Sequence, residues 1–253
     1  MGKKLSDIRT KIENSELGFY HYLMETEDES VVNSLLELSK HTRVFIFSGV
    51  IRNFFLGEKN NRDIDIVLEK EVNIRSIFSN AEIKQNSFGG FKVYLDSTAI
   101  DLWYLENTWT FKNEHVPVLP FGLERKVPGT AFFNFSSIVY SFNDKHFYYE
   151  NEFIEFLKNQ EIDVVNKKNP NPKLCIVNSF YYSDKYRLNI SENLKDYLVT
   201  LYDRNDNDFS EVQLKHFGSV IYSNSQIEHR VETIYLPRKK FKKRKIAIIK
   251  TKG

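Results

Sequence analysis

A chain of 253 residues is long enough for one main domain and a smaller helical one. With 41% apolar and 28% charged residues it is globular rather than disordered, and its single Cys175 excludes an intramolecular disulfide and a cysteine-based zinc site. The formal charge of +2 is unevenly spread: residues 238 to 253 carry nine Lys or Arg and no acid, so the rest of the chain stands at −7. Such a tail is the electrostatic signature of a polyanion partner, with nucleic acid expected ahead of an acidic protein.

The N-terminal run MGKKLSDIRT has no apolar signal region and no stretch approaches the length of a membrane span, so the expectation is a cytoplasmic protein with no membrane span. Leu5 to Leu23 and Asp28 to Lys40 read as helices. In the second, Val31, Val32, Leu35, Leu36 and Leu38 form an apolar stripe behind an acidic start, which predicts packing on the outside of a sheet.

The stretch from Val44 to Glu69 follows. Val44-Phe45-Ile46-Phe47 has the length and β-rich character of a buried strand. Ser48-Gly49 is a tight turn, and Val50, Ile51, Phe54 and Phe55 continue at helical spacing until Gly57. After a polar loop, Asp63-Ile64-Asp65-Ile66-Val67 alternates as a half-buried strand, with both aspartates on one face. Side-by-side carboxylates repel unless a cation sits between them, and Mg²⁺ is commonly held by one or two carboxylates plus substrate phosphates. The Ser48-Gly49 turn at a helix start offers N–H groups to an anion, and Arg52 adds a fixed positive fork. A phosphate cradle facing a carboxylate pair is the apparatus of phosphoryl or nucleotidyl transfer.

A lone Asp-x-Asp is weak evidence, since such pairs more often belong to a solvated face. The next segment, Phe88 to Trp103, strengthens it. Gly89-Gly90 opens a strand, Asp96-Ser97 turns it, and Ile100-Asp101-Leu102-Trp103 runs back. Asp101 lies among apolar neighbours, where an unpaired charge is costly, and beside the other two it would complete a two-metal site. The aromatic cluster Trp103, Tyr104, Trp109 and Phe111 reads as packing rather than base stacking. Beyond Glu152 the pattern is helical: Leu174, Val177, Phe180 and Tyr181 share a face, Ser191 caps a helix bearing Leu194, Leu198 and Leu201, and a last helical pattern runs from Ser225 to Ile234. Cys175 falls among core positions, and His216 and His229 lack a second ligand at metal spacing.

Ser48-Gly49-Val50-Ile51-Arg52-Asn53, the trailing Phe55-Leu56-Gly57 and Arg62-Asp63-Ile64-Asp65 resemble the head of class II CCA-adding enzymes and bacterial poly(A) polymerases, of the DNA polymerase β-type nucleotidyltransferase superfamily. Ser48 replaces the family's first Gly, and Asn53 its terminal Asp. The looser likeness extends through Arg187-Leu188-Asn189-Ile190, so residues 40 to 200 are covered in all. Of the ribose-contacting motif only Asn134 survives, and the base-reading Asp–Arg pair of the neck is missing around Asn171 and Leu174. These departures argue against tRNA CCA addition.

The resemblance implies an α+β fold: a nucleotidyltransferase head of mixed β-sheet flanked by helices (1–150), a smaller helical neck-like domain (151–236) and a basic tail (237–253). It implies a stand-alone, non-templated nucleotidyltransferase using two Mg²⁺ ions. Asp63, Asp65 and Asp101 would be the catalytic and metal-holding residues, and Ser48, Gly49, Arg52, Asn134, Lys173, Asn178 and Tyr181 would bind the nucleotide. The substrate would be an NTP or dNTP, and the acceptor a nucleic-acid 3′ end or a protein side-chain hydroxyl. Small enzymes of this likeness make oligonucleotides in bacterial anti-phage systems, acting on an effector protein. The rival expectations are toxin-like transfer of one nucleotide to tRNA or protein, and a catalytically silent nucleic-acid-binding module.

Overall fold

The computed structural model describes residues 5–47, 49–59, 61, 63–86, 89–96, 98–108, 111–112, 123–204 and 208–234. Ser48, Arg62 and the basic tail, all named above, lie outside them. The chain divides into two compact units, residues 1–159 and 160–253.

The first unit is built on a seven-stranded sheet. Helices α1 (Leu5–Asn14), α2 (Glu16–Thr26) and α3 (Glu29–His41) lead into β1 (Val44–Phe47), then α4 (Gly49–Leu56), β2 (Asp63–Leu68) and a short α5 (Ile74–Ile77). Strands β3 (Glu82–Gln85), β4 (Phe91–Leu95), β5 (Thr98–Tyr104), β6 (Ile138–Ser141) and β7 (His146–Tyr149) complete it, in the order β3-β4-β5-β2-β1-β6-β7. Only β2 and β5 run parallel; every other neighbouring pair is antiparallel. The sheet is therefore mixed and flanked by helices.

Period-2 geometry separates the two faces. Ile46, Ile64, Ile66, Ile100 and Leu102 are fully buried on one face, where Phe19 of α2 meets Tyr140 of β6 and Phe147 of β7 at ring-centroid distances of 4.8 and 5.2 Å. On the other face Phe45, Val67 and Val139 form an apolar cluster with Leu105, Phe111 and Val127, flanked by Phe47, Trp103 and Tyr148. Trp103 is thus a packing residue, as its setting in the sequence suggests. Its ring lies against the backbone of Gly90, where a Cβ would come within 2.5 Å of it. Gly90→Ala is expected to push the indole out of the cluster at a cost of about 1–3 kcal/mol. A red-shifted tryptophan emission with a lowered melting temperature would show it, whereas unchanged emission would contradict it.

Helix α6 (Asn151–Asn159) belongs to the first unit, so the division falls at 159/160 rather than at 150/151. Its Phe153, Ile154 and Phe156 are buried, it packs on α1 and on the 3-10 turn Asn134–Ser136, and Asn151 accepts a hydrogen bond from Arg9 of α1. That apolar stripe commits the helix to the sheet-bearing unit.

The second unit is helical, with α7 (Pro172–Tyr186), α8 (Glu192–Arg204), α9 (Ser210–Phe217) and α10 (224–234). Two-residue strands β8 (Glu161–Ile162) and β9 (Asn189–Ile190) pair in parallel ahead of α8. Ser191 Oγ accepts the N–H of Leu194 at 2.9 Å, the N-cap contact its position suggests, and donates to Asp163 at 2.6 Å. Asp184 of α7 accepts both terminal nitrogens of Arg230, at 3.1 and 2.8 Å, and the Tyr222 hydroxyl at 2.6 Å.

Partial burial works against ionisation of Asp184, yet the hydrogen bonds from Arg230 and Tyr222 outweigh it and hold the carboxyl below its ordinary range. A lowered folded value means stability that is present above the unfolded carboxylate range and lost as pH falls through the folded one. Acidification below about pH 4 should therefore cost wild type more than Asp184→Asn. Because both partners are partly exposed, the difference should stay under about 1 kcal/mol. Melting curves of the two proteins that run parallel through this range would refute the assignment.

Candidate active site

Strand register builds the site. Asp65 of β2 is the direct parallel partner of Asp101 of β5, and Asp101 is the antiparallel partner of Lys92 of β4. Lys92, Asp101 and Asp65 therefore form one row across three strands, and Asp63, two residues before Asp65, lies on the same face. The carboxylate end of this face borders the apolar cluster: Phe47 is the cross-strand partner of Asp65, and Trp103 that of Val67.

The electrostatics follow from this crowding. Desolvation first, then the charges of Asp63 and Asp101, push the Asp65 carboxyl up to about 7, while Lys92 and Arg52 oppose the shift. The Lys92 ammonium donates to Asp101 Oδ2 at 2.8 Å and lies 3.8 Å from Asp63 Oδ2. Three hard oxygen donors in one patch, one of them disfavoured as an anion, suit a hard divalent cation such as Mg²⁺. As they stand, the described residues contain no ready-made trio of His, Cys, Asp or Glu side chains closed on one point.

Beside the carboxylates, α4 begins at Gly49, directly after β1. A Cβ at Gly49 would make only ordinary contact with Arg52 Nη2 at 3.7 Å, so the fold itself does not demand glycine there. Arg52 is 6% exposed and lies 5.2 Å from the centroid of the Phe135 ring. It donates from Nε and Nη2 to Asn53 Oδ1 at 3.3 and 3.2 Å. Where the resembling family has a carboxylate, Asn53 gives Arg52 a neutral acceptor and leaves its charge uncancelled by that neighbour. Asn53 in turn donates to Asn61, and Asn61 donates to Glu27 at 2.7 Å and to the Tyr22 hydroxyl at 3.2 Å. This chain of amides ties the loop before β2 to α2, and nothing local in the sequence announces it. Asn134 is buried in the 3-10 turn that carries Phe135 and packs on α4.

Lys173, Asn178 and Tyr181 all lie on α7 in the second unit. Asn178 and Tyr181, three residues apart, share a helix face, whereas Lys173 is turned about 140° from Asn178. The Asn178 Oδ1 atom is buried with no hydrogen-bond partner, and the Tyr181 ring is 4.9 Å from that of Phe217. The structure thus brings together Asp63, Asp65 and Asp101, with Arg52 near enough to act on Asp65. It adds Lys92, which the sequence reading passed over.

The sequence matches no protein-family model, and no curated protein matches it. The fold does have solved counterparts. One is a CCA-adding enzyme in complex with ATP, at TM-score 0.61 and 16% identity over 85% of this chain and 54% of that one. A second is the Thermotoga maritima CCA-adding enzyme complexed with tRNA, at 0.60 and 17% over 85% and 53%. A third is a tRNA nucleotidyltransferase complexed with a primer tRNA and an incoming ATP analog, at 0.50 and 14% over 68% and 50%. The chain spans about half the length of these proteins. The fold that the resemblance of the Gly-turn and Asp-x-Asp segments implies, the one seen in CCA-adding enzymes, is the fold this chain has.

Proposed function

We propose that the chain is a magnesium-dependent, non-templated nucleotidyltransferase that joins NTP or dNTP to a hydroxyl acceptor and releases pyrophosphate. The observation that carries this reading is the row of Asp65 and Asp101 in parallel register with Asp63 on the same face, a charge cluster that costs the fold stability unless a cation uses it. Magnesium held by these carboxylates would polarise the α-phosphate and make the acceptor hydroxyl a better nucleophile. The acceptor oxygen bonds to the α-phosphorus in line with the breaking bond to the β-phosphate.

The remaining residues bind and orient. The N-terminal end of α4 at Gly49 would take the triphosphate, the absence of a side chain at Gly49 leaving room for it, and Ser48, the residue before it in sequence, is assigned the same role by the resemblance alone. Arg52, rigid through its contacts with Asn53 and Phe135, supplies positive charge. Asn134 serves the sugar. The base-contacting role of Asn178, Tyr181 and Lys173, all on α7 of the second unit, is proposed on the resemblance alone. With no Asp–Arg template in the sequence, base preference rests on stacking and pocket shape. A nucleic-acid partner drawn by the basic tail and an oligonucleotide product controlling an anti-phage effector belong to the same proposal.

The test is incubation with each labelled NTP and dNTP and Mg²⁺, without primer and then with cellular RNA, beside Asp65→Asn. A nucleotide ladder absent from the variant is the expected result. Label that stays on protein after nuclease would replace the polymerase by single-nucleotide transfer. Failure to label anything in either setting would overturn the enzyme reading.

A further inference from the structure

Lys92 stands where a metal-dependent site would want a cation. Its partner across the β4–β5 hairpin is Asp101, and its ammonium reaches both Asp101 and Asp63, at 2.8 and 3.8 Å. The three side chains are 34%, 28% and 19% exposed, so the contact is partly withdrawn from water. Lys84, which faces Lys92 from β3, is engaged elsewhere: its ammonium pairs with Glu82 at 2.9 Å and lies 5.0 Å from the Tyr94 ring centroid. The hairpin leaves Lys92 little freedom of register, since Gly90 is locked under the Trp103 ring and Asp96 turns the chain with φ of 43°.

Charge arithmetic gives the consequence. Among the described residues, the cations Lys92 and Arg52 set against Asp63, Asp65 and Asp101 leave one formal negative charge. That is less than the charge of a single divalent ion. A second ion would have to enter an already positive site unless Lys92 moved or the triphosphate brought its own negative charge.

We infer that Lys92 is a built-in counter-ion that occupies the Asp101 side of the site, so that the free protein takes one divalent ion and admits a second only together with a nucleotide. This rests on the metal-dependent reading above. Lys92 is a positioning residue in this scheme: it holds Asp101 and neutralises it until substrate arrives. A cross-strand Lys–Asp pair is also an ordinary way to stabilise a hairpin. A purely structural role predicts a lower melting temperature on its removal and no change in metal binding.

The experiment is a Mn²⁺ titration of the full chain followed by electron paramagnetic resonance, with and without a non-hydrolysable nucleotide analogue. Wild type and Lys92→Arg should each bind one Mn²⁺ per chain alone and two with the analogue. Lys92→Met should bind two without it, or bind the first at least about tenfold more tightly. Lys92→Gln keeps a polar head group and gives the same readout if Lys92→Met does not fold. Equal counts and affinities in Lys92→Met and wild type would overturn the inference, as would two ions on nucleotide-free wild type. Absence of bound Mn²⁺ from every protein, even with the analogue, would instead remove the metal-dependent reading itself.

Discussion

Asp65→Asn should reduce nucleotide transfer about a thousandfold or more while raising the melting temperature of the metal-free protein. The two effects have one cause. Asp65 sits between Asp63 on its own strand and Asp101 on the next, and desolvation together with those charges already resists its ionisation. An amide of the same shape removes the repulsion and keeps the strand geometry. The residue is partly exposed and Lys92 and Arg52 offset part of the strain, so the gain should be modest, about 1–2 kcal/mol. For a chain of this size that corresponds to a rise of roughly 2–8 °C. Saturating Mg²⁺ should narrow the gap, because only wild type has the full ligand set through which the ion can stabilise the fold. If Asp65→Asn melts below wild type in chelator, the carboxylates are held by contacts that their crowding does not reveal.

The part of the site that could be read from the chain is the part made by neighbours in sequence. β1, the Gly turn, α4 and β2 follow one another within 25 residues, each with its own period, and the structure places Val44–Phe47, Gly49–Leu56 and Asp63–Leu68 accordingly. That Asp101 joins Asp65 required a parallel pairing across 36 residues, which no local pattern encodes; the isolated aspartate in an apolar strand was the only hint. Lys92 was within reach. Leu95 pairs with Thr98, and moving three residues from there along each strand sets Lys92 opposite Asp101. The Asn53–Asn61–Glu27 chain was not within reach, since it joins side chains from three separate elements. Helix α6 misled the domain division because its stripe of Phe153, Ile154 and Phe156 shows that it is amphipathic but not which unit it faces. Strands β8 and β9 have two residues each, too few to display a period.

In the second unit the largest stability loss is expected from Gln213→Leu. Gln213 is fully buried on α9 and uses both ends of its amide. Its Nε2 donates to the carbonyls of Phe209 at 3.1 Å and Tyr222 at 2.9 Å, and its Oε1 accepts the N–H groups of Ile221 at 3.0 Å and Tyr222 at 2.8 Å. One side chain thus takes the place of a stretch of secondary structure, satisfying the backbone of the loop between α9 and α10. Leucine fills a similar volume but strands three backbone groups, the N–H groups of Ile221 and Tyr222 and the carbonyl of Tyr222, each costing about 1–3 kcal/mol if it stays dry, while the Phe209 carbonyl keeps the backbone N–H of residue 213 at 3.3 Å. Water can reach the Ile221 end, where that residue is 39% exposed, so the net loss should be about 3–5 kcal/mol. Gln213→Glu separates the contributions: it keeps an acceptor for the two N–H groups but sets a carboxylate against the two carbonyls, and it should recover partly as acid protonates it. Denaturant unfolding of the three proteins at neutral and acidic pH measures this. A loss below about 1 kcal/mol for Gln213→Leu would mean that the loop can re-form its hydrogen bonds without the side chain, and that α9 and α10 are joined by packing alone.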